Sequence, residues 1–377
     1  MNTTIENKPS NVNLYEATAQ WRSRPADQRF ETLDALQKSV EGRRSRSRSV
    51  TVKLADLKVA VDESSNTIRL LNAHPYQAAM LEPTHWSFGQ LCQRIGAPAG
   101  YLRTLPADLV AENLKHSLAH SDREDLKLLM VESSAQNFVS ADSLQAVTST
   151  TYGRIWDAEV VAAVRRIVDQ SGGKFFNPQD WSGKAGGLYA SDHDVFCFMI
   201  DGGSVVNGGG ERDQLHRGFF VSNSETGSKS LWLKTFLFRS VCGNHIVWHA
   251  EDISEYILRH SQGAPARFDR EAYPKLVEFV NASPKPIEDN IRKAKAYALP
   301  YADDKTGSDA LIDWGVKCGF TRPEIRGAYA LASEEEGQCA NLWDFVNGLT
   351  AHARGYEFVD ARVDLESRAG KLLATVA

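Results

Sequence analysis

The chain has few cysteines, no long apolar run and none of the common catalytic signatures. Its five cysteines, Cys92, Cys197, Cys242, Cys318 and Cys339, are odd in number and widely spaced, and no CxxC occurs. That pattern suits a reducing cytosol better than a disulfide scaffold. No apolar stretch is long enough to span a bilayer, and the N-terminus does not read as a charged-then-apolar leader. A cytoplasmic protein with no membrane contact is therefore expected. P-loop, GxGxxG, HExxH and GxSxG patterns are all missing, which removes the usual phosphate, dinucleotide, zinc-protease and serine-hydrolase readings. There is no internal repeat and no heptad array. The formal net charge of −5 argues against wholesale coating of a polyanion.

What is present is uneven. Residues 20–53 hold nine Lys/Arg against four Asp/Glu, and residues 214–249 hold four against one. From residue 269 to the end the balance reverses, with fourteen basic against eighteen acidic residues. A local basic groove is thus compatible with an acidic whole.

At 377 residues the chain can bury a full core and hold more than one domain. Residues 1–49 read as a polar arm ending in Arg43-Arg-Ser-Arg-Ser-Arg-Ser49, either a flexible linker or a phosphate-gripping tail. Within it, Phe30, Leu33, Leu36 and Val40 mark one short amphipathic helix. Residues 50–265 read as an α+β core, with two strands in 50–71 and strands at 126–132, 143–155 and 195–200. Helices are expected from Thr84 to Ile95, from Pro106, and from Asp157 with the stripe Val160, Val161, Val164, Ile167 and Val168. Gly202–Gly210 reads as a flexible tip. Residues 266–377 turn helical, with candidates at 269–281, 284–298, 308–318, 321–333 and 339–353. The fold expected is a mixed core with an antiparallel β-meander packed on helices, followed by a helical C-terminal region. Regular βαβ alternation is missing.

Arg217 to Trp248 is the densest stretch in aromatic and β-branched residues. Arg217, Asn223, Glu225, Arg239 and Asn244 lie in or beside its apolar runs, where polar groups cost stability unless paired or used. Alternation places Leu231, Leu233 and Leu237 on one face and Trp232, Phe236 and Phe238 on the other, so the strand reads as covered on both sides. Alternatively, Lys229, Lys234 and Arg239 meet phosphates while Phe219, Trp232, Phe236 or Phe238 stack on bases.

Other constellations are weaker. Cys242-Gly-Asn-His245-Ile-Val-Trp-His249 has zinc-ligand residue types, but on a strand His245 and His249 lie about 13 Å apart, too far to share one ion. Asp192-His193-Asp194 is either a turn or a cation site. Ser87 to Leu102 has a helix-turn-helix rhythm. Its second helix begins Ala97-Pro-Ala-Gly100, which reaches no base edge, so a packed αα-hairpin is expected.

Five segments carry a resemblance: Phe88-Gly-Gln-Leu-Cys…Gly96-Ala-Pro…Tyr101-Leu, Tyr152-Gly-Arg-Ile-Trp-Asp157, Arg217-Gly-Phe-Phe-Val-Ser-Asn-Ser-Glu-Thr-Gly227, Phe238-Arg-Ser-Val-Cys-Gly-Asn244 and Leu342-Trp-Asp-Phe-Val-Asn-Gly-Leu-Thr350. Across most of residues 80–370 the chain resembles the phage- and plasmid-like proteins of unknown-function family 932. The resemblance implies a mobile-element protein near recombination and replication functions, and it brings no catalytic residues. The meander also looks like that of ring-forming phage annealing proteins.

The leading expectation is a non-enzymatic single-stranded DNA-binding or annealing accessory. Its contacts would be Arg154, Arg217, Asn223, Lys229, Lys234, Arg239 and Asn244, aided by the 43–53 arm, with no cofactor and with homo-oligomers as one arrangement. The alternatives are a metal-dependent enzyme using Asp192, Asp194, His216, Glu225 and His245, and a module that binds a host or element-encoded protein.

Overall fold

A computed structural model describes residues 26–72, 79–121, 125–133, 141–177, 186–207, 214–239, 246–248, 255–283, 285–300, 307–356 and 359–376. Two β-sheets and a C-terminal helical group organise them.

The first sheet contains β1 (Ser47–Lys53), β2 (Leu57–Asp62), β3 (Thr67–Asn72), β4 (Ala79–Pro83), β5 (Asp125–Val131) and β6 (Asp142–Ser149), in the order β1-β5-β6-β4-β3-β2. Every pairing is antiparallel except β4 with β6. Alternate residues such as Val50, Val52, Val59, Leu70, Leu81, Leu126 and Leu128 point to one buried face. That face packs under the helices His85–Arg94 and Ala107–Ala119. Thr84 caps the first of these by accepting from the Ser87 amide at 3.1 Å. The expected αα-hairpin is a helix followed by one turn, Ala99–Leu102.

The Arg/Ser run is neither a linker nor a tail. Helix α1 spans Leu33–Ser45 and runs into β1, so Arg43 to Ser49 are ordered parts of two elements. Leu33, Leu36 and Val40 are buried, as their spacing anticipates.

The second sheet is the meander. β9 (Val195–Asn207), β10 (Gln214–Asn223) and β11 (Leu231–Arg239) pair antiparallel in sequence order. The short strands β7 (Phe175–Phe176) and β8 (Leu188–Ala190) flank β9, and β12 (Ile246–Trp248) and β13 (Glu255–Leu258) flank β11. Gly202 to Asn207 belong to β9 rather than to a flexible tip. One face of this sheet packs on α1, on the helix Asp157–Gln170 and on the helix Tyr273–Asn281. The other holds a row of stacked rings. Tyr189 lies over Phe196 at 5.3 Å, Phe196 over Phe220 at 5.0 Å, and Phe198 over Phe236 at 4.5 Å. Both faces are sealed: Phe219 is 0 % and Phe236 2 % exposed.

The remaining helices are Lys285–Ala296, Gly307–Lys317, Arg322–Glu336, Leu342–Ala353 and Val359–Val376. Leu342–Ala353 is buried on nearly every side and forms the centre of this group, which reaches Leu215 and Leu237 on the second sheet. Gly348 permits its closest crossing, since a Cβ there would meet the Ala328 carbonyl at 2.0 Å. Among the described residues no helix is long and apolar enough to cross a membrane.

Candidate functional site

The turn after β10 ties the two sheets together. Gly227 takes a left-handed conformation, φ 88°, that closes it. The hydroxyls of Ser224, Thr226 and Ser228 all donate to the His193 carbonyl, at 2.7, 3.2 and 3.0 Å. From the first sheet's side, Gln90 Nε2 donates to the Thr226 carbonyl at 2.8 Å, and the Tyr152 hydroxyl donates to the Ser224 carbonyl at 2.8 Å.

Behind that turn lies a closed polar network. Asp157 and Glu225 are 0 % and 2 % exposed. Arg43 reaches in from α1: its Nη2 meets Asp157 Oδ2 at 2.6 Å and its Nε meets Glu225 Oε1 at 3.0 Å, while Nη1 donates to the Ser191 carbonyl. Asn223 Nδ2 donates to Asp157 Oδ1 at 2.7 Å. The Asp157 amide, in the first turn of its helix, donates to Glu225 Oε2 at 3.1 Å. Glu225 therefore caps that helix from another part of the chain, where the positive end of the helix dipole favours an anion. Arg154 donates to the Glu225 carbonyl. Burial, and then the nearby Glu225 charge, push the Asp157 carboxyl well above its usual range, opposed by Arg43 and Asn223. Two carboxylates persist here because two guanidiniums and a helix terminus face them.

Most residues expected to contact a ligand serve this architecture instead. Asn223 and Arg154 belong to the closed network, and both are buried. Arg217 is 1 % exposed. It donates to the Phe279 and Ala282 carbonyls at 2.7 and 2.8 Å, satisfying the end of the helix Tyr273–Asn281, with Phe279's ring 4.7 Å from its guanidinium carbon. Lys234 is 5 % exposed and its ammonium sits 4.6 Å from the centre of the Trp232 ring. Lys229 pairs with Asp194 at 2.8 Å. The expected groove of cations and rings on the central sheet is thus absent among the described residues. Arg217 and Lys234 face inward because the rings beside them are packed on both sides. Asn244 and the side chain of Arg239 lie outside the described residues.

The candidate metal ligands are dispersed as well. His216 Nδ1 donates to the Asp201 carbonyl at 3.2 Å. About 23 Å of strand separates His216 from Asn223, the neighbour of the Glu225 turn. Asp192, His193 and Asp194 form a turn in which the Ser191 amide donates to the Asp194 carbonyl at 2.8 Å. Ser191 Oγ donates to Asp194 Oδ1 at 2.5 Å, and Asp192 Oδ1 meets His193 Nδ1 at 2.7 Å. Ser191 Oγ also approaches that same Nδ1, at 3.4 Å, so no serine-to-carboxylate relay runs through the ring. His245 lies outside the described residues. Among those described, no three His, Cys, Asp or Glu side chains gather as a metal set.

A second feature adjoins the network and reaches the surface. Arg44, exposed at the end of α1, lies over the Trp156 ring at 3.8 Å. The Arg154 guanidinium lies 5.5 Å from the Trp156 ring centre and 5.4 Å from that of Tyr152. Tyr152 in turn stacks on His260, with ring centres 5.0 Å apart and 22° between planes. Guanidiniums and rings therefore alternate along a column of Arg44, Trp156, Arg154, Tyr152 and His260. Lys127 Nζ donates to the Tyr152 carbonyl at 3.2 Å. Trp156, Tyr152 and His260 are half-buried. His260 Nδ1 donates to the Gly153 carbonyl at 3.1 Å, and burial lowers this imidazole to about 4, so it is neutral at pH 7. Gly153 allows the contact, because a Cβ there would lie 1.9 Å from the Ser261 carbonyl oxygen.

Sequence reasoning missed Asp157 and Trp156 as site residues, and offered Arg43 and Arg44 only within a 43–53 arm that grips phosphates. Asp157 read as a helix cap and the two arginines as part of an arm. The available signal was Tyr152-Gly-Arg-Ile-Trp-Asp157, where two rings flank a cation immediately before a helical stripe.

Fold and site together define an α+β protein whose two antiparallel-rich sheets are pinned by a buried ion network. Residues 145–297 match the family described as Domain of unknown function (DUF932). The Tyr152–Asp157, Arg217–Gly227 and Phe238–Asn244 segments lie inside the match, while Phe88–Leu102 and Leu342–Thr350 lie outside it. No curated protein and no solved structure matches the chain.

Proposed function

We propose that this protein is a non-enzymatic, cytoplasmic single-strand nucleic-acid-binding accessory of a phage or plasmid, acting in DNA recombination or replication. The column Arg44–Trp156–Arg154–Tyr152–His260 carries this reading. Sequence-tolerant binding of single strands needs rings for bases and fixed cations for phosphates; here the exposed Arg44 offers the cation and the half-buried Trp156, Tyr152 and His260 the rings, with the buried Arg154 holding Trp156 and Tyr152 in place. Arg44 supplies its exposed cationic end and His260 the ring at the other. Lys127 and the exposed Arg259 add positive charge beside it. The buried network holds the column still, since Arg43 ties α1, and Arg154 ties its own segment, to the turn at Glu225.

Titration of the protein into a short fluorescent single-stranded oligonucleotide tests this. Anisotropy should report binding that weakens steeply between about 50 and 200 mM salt, as phosphate neutralisation requires. Arg44→Ala should cost roughly tenfold in affinity and Arg44→Lys less, because lysine keeps the charge and loses the planar stack. Affinity that is absent at low salt, or indifferent to salt, contradicts the proposal.

A further inference from the structure

The helix Ala107–Ala119 lies on the first sheet through Val110, Ala111, Leu114 and Leu118, all buried in that sheet's core. Its other side faces solvent and carries two imidazoles one turn apart. His116 sits in the last turn, His120 is the residue that closes the helix, and both are exposed. The spacing equals that of His245 and His249, which an extended strand would hold about 13 Å apart. On a helix, residues four apart are neighbours. The two rings accordingly have their centres 4.4 Å apart, with 36° between planes.

The proton on one ring is fixed. His120 Nδ1 lies 2.8 Å from the His116 carbonyl oxygen. A carbonyl only accepts, so Nδ1 carries the hydrogen, and in the neutral ring Nε2 keeps its lone pair. Histidines that ligate metals are commonly oriented in this way, by an acceptor on the nitrogen that does not bind the ion. Neither ring nitrogen of His116 has a hydrogen-bond partner among the described residues. The adjacent ammonium of Lys115 is engaged by Glu112 at 2.7 Å. Nitrogen donors sit about 2.0–2.1 Å from a bound divalent ion. Two imidazoles at about 90° on one ion then have ring centres about 4.5 Å apart, and at a tetrahedral angle about 5 Å. The separation here is nearer the first, the angle of a square-planar ion such as Cu²⁺ or Ni²⁺.

We propose that His116 and His120 chelate one divalent transition-metal ion of square-planar preference, Cu²⁺ above Ni²⁺, with solvent in its remaining positions. Mg²⁺ and Ca²⁺ do not fit, because they take oxygen ligands. The site shares no residue with the Arg44–His260 column, so either proposal can fail alone. Calorimetric titration of the full chain with Ni²⁺, and electron paramagnetic resonance of the Cu²⁺ complex, test it. One site is expected that Mg²⁺ does not compete for, with two imidazole nitrogens on Cu²⁺. His116→Ala and His120→Ala should each weaken Ni²⁺ binding about tenfold and leave one imidazole on Cu²⁺. The double variant should lose little more, because removing either ring already forfeits the intramolecular second contact. His85→Ala, an exposed histidine elsewhere on the first sheet's helices, should change neither reading. All three positions are exposed, so a near-native circular dichroism spectrum should accompany each variant. Equal Ni²⁺ affinity in the wild type and the double variant, or two imidazoles persisting on Cu²⁺ in either single variant, overturns the proposal.

Discussion

Arg43→Met should be the most damaging substitution of a residue that sequence reasoning placed in the polar N-terminal arm. The side chain is 16 % exposed and contacts two carboxylates, Asp157 at 2.6 Å and Glu225 at 3.0 Å, that are 0 % and 3 % exposed as side chains. Methionine fills much of the same volume but leaves both anions with less compensation. Breaking a buried pair from one side costs about 3–5 kcal/mol. The loss should also depend on pH. Asp157 already titrates above its usual range because of burial and the Glu225 charge, with Arg43 opposing. Without Arg43 that rise grows. A carboxyl raised in the folded state is stabilising while protonated and destabilising once it must ionise, so the Arg43→Met penalty should increase as pH rises. Urea denaturation at pH 5.5, 7 and 8.5, about 1–3 kcal/mol per M in slope, resolves this. Adding Asp157→Asn should recover part of the loss, with a coupling of about 1–3 kcal/mol. A penalty under about 1 kcal/mol that is flat with pH would refute a closed, electrostatically balanced network.

Three further outcomes follow from the same geometry. His260 titrates at about 4 in the fold against an ordinary 6.5, so stability complete above pH 6.5 should drain away as pH falls toward 4. The amount is at most about 3 kcal/mol, and His260→Gln should flatten that part of the denaturation profile. Gly153→Ala should cost at least about 2 kcal/mol, read as a lower melting temperature, because the Ser261 carbonyl must move. Arg217→Met should cost about 3 kcal/mol, since two carbonyls at the end of the helix Tyr273–Asn281 lose a charged donor, and should leave oligonucleotide affinity unchanged.

Local patterns were legible, and long-range pairing was not. The stripe Val160, Val161, Val164 and Ile167 is buried as its spacing requires, and Leu231 and Leu233 separate from Trp232 and Phe236 as strand alternation requires. The helices expected between 269 and 353 fall close to their bounds because caps and Pro breaks mark them, as Thr321 and Pro323 do for Arg322–Glu336, whereas the last helix, Val359–Val376, was not anticipated. The six-stranded first sheet was not legible, since its parallel β4–β6 pairing joins strands with three helical segments and β5 between them. The site failed for the same reason. Arg43, Asp157 and Glu225 are separated by 114 and 68 residues in the pairs that join them, and nothing local marks such partners. Unusual polarity in an apolar stretch was a sound signal of constraint, but the constraint at Arg217 and Asn223 is structural pairing rather than ligand contact.

The proposed function stands on which cations meet a single strand. Its most direct measurement compares oligonucleotide affinity, at one low salt concentration, for the wild-type chain, Arg44→Ala and Lys229→Ala. The column reading expects Arg44→Ala to weaken binding about tenfold and Lys229→Ala, whose ammonium is engaged by Asp194, to change it by less than about twofold. Full affinity in Arg44→Ala with a loss in Lys229→Ala would contradict it and return the contact surface to the central sheet.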